Sequence, residues 1–205
     1  MWTPRHILVL LLSITAPVVV SAQGRAGHAP TATGVPSVRP SEVDIAFIQG
    51  MLTHHAQAVE MVALVPQRTT RRELLLIAER IDVSQRDEMA WMRDWLADHR
   101  IPAAEGHGAH DHAAMGHASM PGMLSPDEMA ALARATGREF ERRFLVGMIT
   151  HHEGALKMVA ALFGSPDAAQ RPEIFGFASD VDADQRAEIT RMRKVLATLT
   201  APMAP

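Results

Sequence analysis

The chain has 205 residues, no cysteine and a formal net charge of −3. The lack of cysteine excludes a disulfide framework, thiolate chemistry and lipid attachment at a cysteine. The weakly acidic balance does not indicate nucleic-acid binding. A metal ion held by this chain must therefore use His, Met or oxygen ligands.

The N-terminus predicts an export signal. A short basic start precedes an apolar run of about 14 residues, Ile7 to Val20, which ends in the small residues Ser21 and Ala22. The alternative is a membrane anchor, but a span needs roughly 20 apolar residues. We therefore predict a signal peptide over 1–22 and a flexible Pro/Gly-rich leader over 23–40. The mature protein is then periplasmic or secreted, without a stable membrane anchor.

The next segment, 41–99, predicts a helical hairpin. Ser41 caps a first helix whose apolar residues recur at helical spacing as far as Pro66. Thr70 and Glu73 form the pattern of a capping box before a second helix that ends ahead of Pro102. The short connection between them indicates antiparallel packing.

The segment 125–200 repeats this plan after a short additional helix. Ser125 and the following Pro predict the start of that short helix, which Gly137 is expected to end. A third long helix runs to Gly164, and a fourth begins at or near Pro172. Residues 201–205 form a tail.

Two pairs of segments are similar in sequence. Phe47–Val62 matches Phe144–Val159 at an offset of 97, and Ile81–Leu96 matches Val181–Leu196 at an offset of 100. Matches in the same order indicate a duplicated hairpin. The predicted fold is all-α: a four-helix bundle over residues 41–200, built from two repeated hairpins with the extra helix in the crossover.

Each copy of the first segment carries Met-x-x-His-His followed by a further Met. Residues three and four apart share a helix face, so thioether and imidazole groups lie together on each helix. Imidazole suits copper, zinc, iron and nickel, whereas thioether selects Cu(I) and soft ions such as Ag(I). The candidate metal ligands on the two helices are Met51, His54, His55, Met61, Met148, His151, His152 and Met158.

The sequence leaves two alternatives to a copper site open. The methionines could be core filler and the histidines hydrogen-bonded packing residues, although buried imidazoles need partners that a metal would supply. A di-iron oxidase would place Glu three residues before the histidine, where this chain has Met51 and Met148. Glu88 and Glu188 could support the site, but an exposed Gln-Arg-x-Glu face is the preferred interpretation.

The crossover segment, 103–124, is rich in His and Met. Its Gly/Ala-rich composition cannot build a core, and such tracts are typical of metal binding. Imidazole would serve Cu(II) and thioether Cu(I), while a pH-responsive loop is a weaker alternative. The candidate ligands here are His107, His110, His112, Met115, His117, Met120 and Met123.

The F-x-x-G-M-[IL]-T-H-H segment with its following Met, together with the Q-R-x-E-x-x-x-M helix, resembles the DUF305 family over residues 41–200. The resemblance implies a ferritin-like four-helix bundle and an association with copper binding and tolerance. It implies metal binding by the Met and His residues of both helical segments. One departure is Lys157, where the first copy has Glu60, so the two copies are expected to differ.

These patterns together predict a copper-binding protein, not an enzyme. It would buffer, sequester or hand over Cu(I), with a periplasmic copper exporter or chaperone as a potential partner. The alternatives are a metal-dependent oxidase and a metal-free helical module that binds a protein partner.

Overall fold

The computed structural model describes residues 40–103 and 120–200. These residues form five α-helices and no strand, which confirms the all-α class. The helices are α1 (Glu42–Ala63), α2 (Arg72–Asp98), α3 (Pro126–Arg134), α4 (Gly137–Phe163) and α5 (Pro172–Thr200). A 3₁₀ turn at Val65–Gln67 joins α1 to α2. Within the described residues, no helix combines the length and hydropathy that a bilayer crossing requires.

Helix starts follow the sequence signals in most places. Ser41 caps α1 and Ser125 caps α3, each through a reciprocal capping box. The capping box expected at Thr70 is absent, since α2 begins after Arg71 without a side-chain cap. Thr69 instead accepts from the Arg71 amide and donates to Glu141 on α4. A contact with another helix therefore fixes the start of α2.

Gly137 begins a helix and does not end one. Helix α3 stops at Arg134, and Gly137 is the first residue of α4, with φ of +54°. Its amide donates to the carbonyl of Arg68 at 3.2 Å. The left-handed conformation, which suits glycine, turns the chain from α3 into α4.

The four long helices pack α1 on α2, α4 on α5, α1 on α4 and α2 on α5. Their buried apolar residues form two separate clusters. The first cluster includes Ile48, Met92, Val159 and Val181, whereas the second includes Ile81, Phe144 and Met192. Every long helix contributes to both clusters, so each crosses the boundary between them. Buried polar residues lie at that boundary.

Candidate metal centre

The polar layer between the two apolar clusters contains all four histidines of the repeated segments. His54 and His55 lie on α1, and His151 and His152 lie on α4, each at most 1% exposed. The rings of His54 and His151 face each other across the α1–α4 contact, with centroids 3.8 Å apart and planes tilted by 37°. The fold therefore brings the two sequence motifs together.

Helices α2 and α5 supply a carboxylate to the second histidine of each pair. His55 Nε2 lies in hydrogen-bond contact with Glu88 Oε2, and His152 Nε2 lies 2.7 Å from Glu188 Oε2. Ser84 Oγ donates to the other oxygen of Glu188 at 3.2 Å. Carboxylates accept, so both imidazoles carry their proton on Nε2.

Backbone carbonyls hold the first histidine of each pair. His54 Nε2 donates to the Pro121 carbonyl at 3.0 Å, and His151 Nε2 donates to the His54 carbonyl at 3.0 Å. These contacts also place the proton on Nε2. The Nδ1 atoms of all four histidines are buried and have no hydrogen-bond partner among the described residues. Four buried imidazole nitrogens thus lack a partner among the described residues, and leaving a buried polar atom without a partner is costly.

Burial keeps two of these imidazoles neutral. It lowers the pKa of His54 from 6.5 to about 3, an effect that His55 and His152 increase and the Pro121 hydrogen bond opposes. Burial also holds the pKa of His151 well below 6.5, followed by repulsion from the neighbouring imidazoles. Neutral imidazole is the form that binds a metal ion, so protons do not compete near pH 7.

The end of the crossover is clamped against the polar layer. Gln57 on α1 donates to the Leu124 carbonyl at 2.9 Å and accepts from the Leu124 amide at 2.8 Å. At the equivalent position on α4 stands Gly154, where a Cβ would lie 1.8 Å from the Pro121 carbonyl oxygen. The crossover backbone therefore requires Gln on one helix and Gly on the other.

The structure distributes the predicted methionines around this layer. Met51 belongs to the first apolar cluster, whereas Met61 and Met148 belong to the second, and all three are fully buried. Met158 and Met120 are half-buried. Met123 is also half-buried and lines a shallow groove beside Gly147 and Thr150.

Part of the predicted site and several of the predicted segments cannot be placed. The signal peptide, most of the leader and the tail lie outside the described residues, as do five crossover ligands: His107, His110, His112, Met115 and His117. Within 40–103 and 120–200, no group of three or more His, Asp or Glu side chains is placed to hold a metal ion.

The sequence interpretation of the Gln-Arg-x-Glu helices was wrong in part. Of the Gln, Arg and Glu residues that both segments share, only the arginines are exposed, while Gln85, Gln185 and Glu188 are buried and Glu88 is largely buried. The repeated Glu in these segments was the available signal for the partners of His55 and His152. No comparable signal marked Pro121, because its contact is made by a backbone carbonyl.

The difference between Glu60 and Lys157 does not reach this layer. Both side chains are exposed on the outer faces of α1 and α4. The difference that does reach it is Gln57 against Gly154, each three residues after the first histidine of its pair. The copies are therefore unequal at a position other than the one expected.

The fold and this layer define an all-α protein with a buried His/Glu centre and surrounding thioethers. The family model described as "Domain of unknown function (DUF305)" matches residues 44–196, so the chain belongs to the DUF305 family. No curated protein matches the chain in a sequence comparison.

Solved structures give closer comparisons. A DUF305 fragment from Deinococcus radiodurans is 33% identical, with 78% of this chain and 98% of that chain covered and a TM-score of 0.67. A DUF305 protein from Streptomyces coelicolor, described by its name as a secreted protein, is 28% identical. The match covers 80% of this chain and 97% of that chain, with a TM-score of 0.66.

CopM in its Cu(I)-bound form is 27% identical, with 77% of this chain and 98% of CopM covered and a TM-score of 0.60. CopM has also been solved in Cu(II)-bound and Ag-bound forms. These neighbours indicate a copper-related family.

Proposed function

We propose that this protein is exported and binds Cu(I), or the similar ion Ag(I), to buffer, sequester or hand over the metal. The observation that carries the proposal is the set of four buried Nδ1 atoms, on His54, His55, His151 and His152, that have no hydrogen-bond partner within 40–103 and 120–200. Each ring has its other nitrogen fixed by a carboxylate or a carbonyl. Metal-binding histidines are typically held in this way, which sets both the tautomer and the ring orientation.

The ligand chemistry favours a soft ion. Met51 and Met148 stand where a ferritin-like di-iron protein would carry hard carboxylate ligands, and thioether sulfur selects Cu(I). The neighbour CopM, which binds Cu(I) and Ag, supports the same choice. The Met and His residues of the two helical segments are the proposed ligands, and the crossover His and Met residues are proposed as an additional site that can also take Cu(II).

We infer binding and not catalysis. The four imidazoles are at most 1% exposed, which suits retention of an ion better than turnover of a substrate. The oxidase alternative predicts oxygen uptake during steady-state incubation with Cu(I), whereas the binding proposal predicts none above the buffer rate.

Export, partner and architecture belong to the same proposal. The predicted signal peptide and the name of the Streptomyces neighbour support a periplasmic or secreted location, where an exporter or chaperone could receive the ion. The matching polar positions on α1 and α4, and on α2 and α5, support a duplicated hairpin forming a ferritin-like four-helix bundle.

The test is metal analysis of residues 23–205 after anaerobic loading with Cu(I) or Ag(I). We expect the wild type to retain an ion that the quadruple variant His54/His55/His151/His152→Ala loses. The control is His99→Ala, because His99 lies outside the layer and bonds the Trp95 carbonyl. Equal copper in the wild type and the quadruple variant would contradict the proposal.

Thermal unfolding provides a second readout if the quadruple variant does not fold. An ion specific for the folded state raises stability by about 2.7 kcal/mol at a free concentration of 100 times its Kd. The wild type and His99→Ala should both show this shift with Ag(I). An unchanged melting temperature would favour the metal-free partner-binding module.

A further inference from the structure

Two glycines leave room for other side chains beside the facing histidines. Gly50 lies one helical turn before His54, and Gly147 lies one turn before His151. Side chains on an α-helix lean toward its N-terminus, so each imidazole leans over the turn that contains its glycine. Because glycine has no side chain, groups from other elements can enter that turn next to the ring.

Different groups enter at the two glycines. A Cβ on Gly147 would lie 3.4 Å from the terminal methyl of Met61 and 3.2 Å from a methyl of Leu124. A Cβ on Gly50 would lie 3.4 Å from the terminal methyl of Met158 and 3.7 Å from the sulfur of Met120. Within 4 Å of the added Cβ, the Gly147 side therefore has one thioether and one hydrocarbon, whereas the Gly50 side has two thioethers.

The crossover produces this difference because its hydrogen bonds to α1 fix the direction in which it runs. His54 holds the carbonyl of Pro121, the residue next to Met120, and Gln57 holds both backbone groups of Leu124. These contacts direct Met120 to the Gly50 side and Leu124 to the Gly147 side. The His54 Nδ1 atom is buried and has no hydrogen-bond partner among the described residues, and the two thioethers lie one helical turn away, at Gly50.

Solvent access also differs. Met120 and Met158 are half-buried, while Met61 is fully buried. Thioethers are flexible and polarisable, and they select soft monovalent ions. A pair of them at the edge of the polar layer can meet an ion from solvent, one helical turn from His54.

We propose that Met120, Met158 and His54 form the first and tighter site for Cu(I) or Ag(I), and that the Gly147 side with Met61 and His151 is the weaker one. This inference rests on the proposed metal-binding function, and it adds that the two copies bind unequally because of the crossover.

The test uses four Met/Leu exchanges, which conserve volume and cost less than about 1.5 kcal/mol of stability. Anaerobic Ag(I) titration against a competing chelator measures affinity, and X-ray absorption of the Cu(I) form counts sulfur ligands. We expect Met120→Leu and Met158→Leu to weaken the tightest binding roughly tenfold or more, equivalent to about 1.4 kcal/mol, with fewer sulfur ligands. The matched change Met61→Leu should leave the tightest affinity within about twofold.

The most discriminating experiment exchanges Met and Leu between the two sides. Met120→Leu combined with Leu124→Met moves the second sulfur to the Gly147 side, and tight binding should return with a sulfur count like that of the wild type. If Met120→Leu binds Ag(I) as the wild type does, with the same sulfur count, the inference is wrong while the proposed function stands. A wild type that binds no Ag(I) overturns the proposed function and the inference with it.

Discussion

The α1 and α4 sides of the polar layer have nearly the same local sequence but different surroundings. Both carry G-M-x-T-H-H, and both second histidines bond a glutamate on the neighbouring helix. The first histidines differ, because His54 bonds the crossover at Pro121 whereas His151 bonds the backbone of α1. A motif that occurs twice in the sequence thus has two unequal environments, because one connecting segment packs on one side of the layer.

Gly154→Ala should have the largest effect on stability, because it disturbs the packing of the crossover against α4. The new methyl would lie 1.8 Å from the Pro121 carbonyl oxygen, so backbone must move. We expect a loss of about 3 kcal/mol or more in the free energy of unfolding, at the upper end of overpacking effects. The control is Gly176→Ala on α5, which meets nothing within 4 Å and should stabilise by up to about 1 kcal/mol. If Gly154→Ala and the wild type had the same free energy of unfolding, the crossover would not pack on α4.

Acid should destabilise the metal-free protein through His54 and His151. Both have folded-state pKa values below 6.5, so the unfolded chain binds more protons. Stability is then fully present above pH 6.5 and falls as the pH decreases, by about 1.4 kcal/mol per pH unit for each histidine. The His54 contribution continues down to about pH 3, the pKa of the folded state.

Denaturant unfolding between pH 7 and 5 measures this slope. The groups that share the layer are His55, His152, Glu88, Glu188 and, at its edge, Asp184, whose pKa is raised mainly by burial and then by the neighbouring carboxylates. A raised carboxyl pKa acts in the opposite direction, because protonation then favours the folded state. The double variant His54→Asn/His151→Asn should flatten the slope, and an unchanged slope would assign it to other groups.

Removing each glutamate in turn should show that the two His–Glu pairs contribute unequally to stability. Glu188 is 4% exposed and Glu88 is 14% exposed, so water can replace the lost carboxylate more easily on the α1 side. We expect Glu188→Ala to cost about 2 kcal/mol and Glu88→Ala about 1 kcal/mol, the range for a buried donor left without its partner. Chemical denaturation measures both values. Equal losses would show that the difference in burial has no energetic consequence.

Gln57→Ala should cost at least about 1 kcal/mol, as much as Glu88→Ala. It removes two hydrogen bonds to Leu124, each worth about 0.5–1.5 kcal/mol. The matched control is Gln49→Ala on the same helix, whose exposed bond to the Pro102 carbonyl should contribute less than about 0.5 kcal/mol. Hydrogen exchange of the Leu124 amide checks the anchor directly, since it should become faster in Gln57→Ala only.

Much of the fold was predictable because local signals agreed with tertiary packing. The caps at Ser41 and Ser125, the stop at Gly164 and the start at Pro172 all lie where the sequence placed them. The predicted capping box at Thr70 and helix end at Gly137 were wrong. The start of α2 and the start of α4 depend on contacts with Glu141 and Arg68, which are distant in sequence. Periodicity reports one helix at a time and contains no information about such partners.

The sequence by itself determined the family, the all-α class and the presence of two His–His segments with thioethers on the same helix faces. Only the tertiary structure decided that Glu88 and Glu188 fix the second histidines and that no described residue bonds any of the four Nδ1 atoms. It also decided that Met120 and Leu124 lie on opposite sides. The physical reason is that a helix face is set by spacing along one chain segment, whereas the partner of a buried polar atom is set by which segments pack against it.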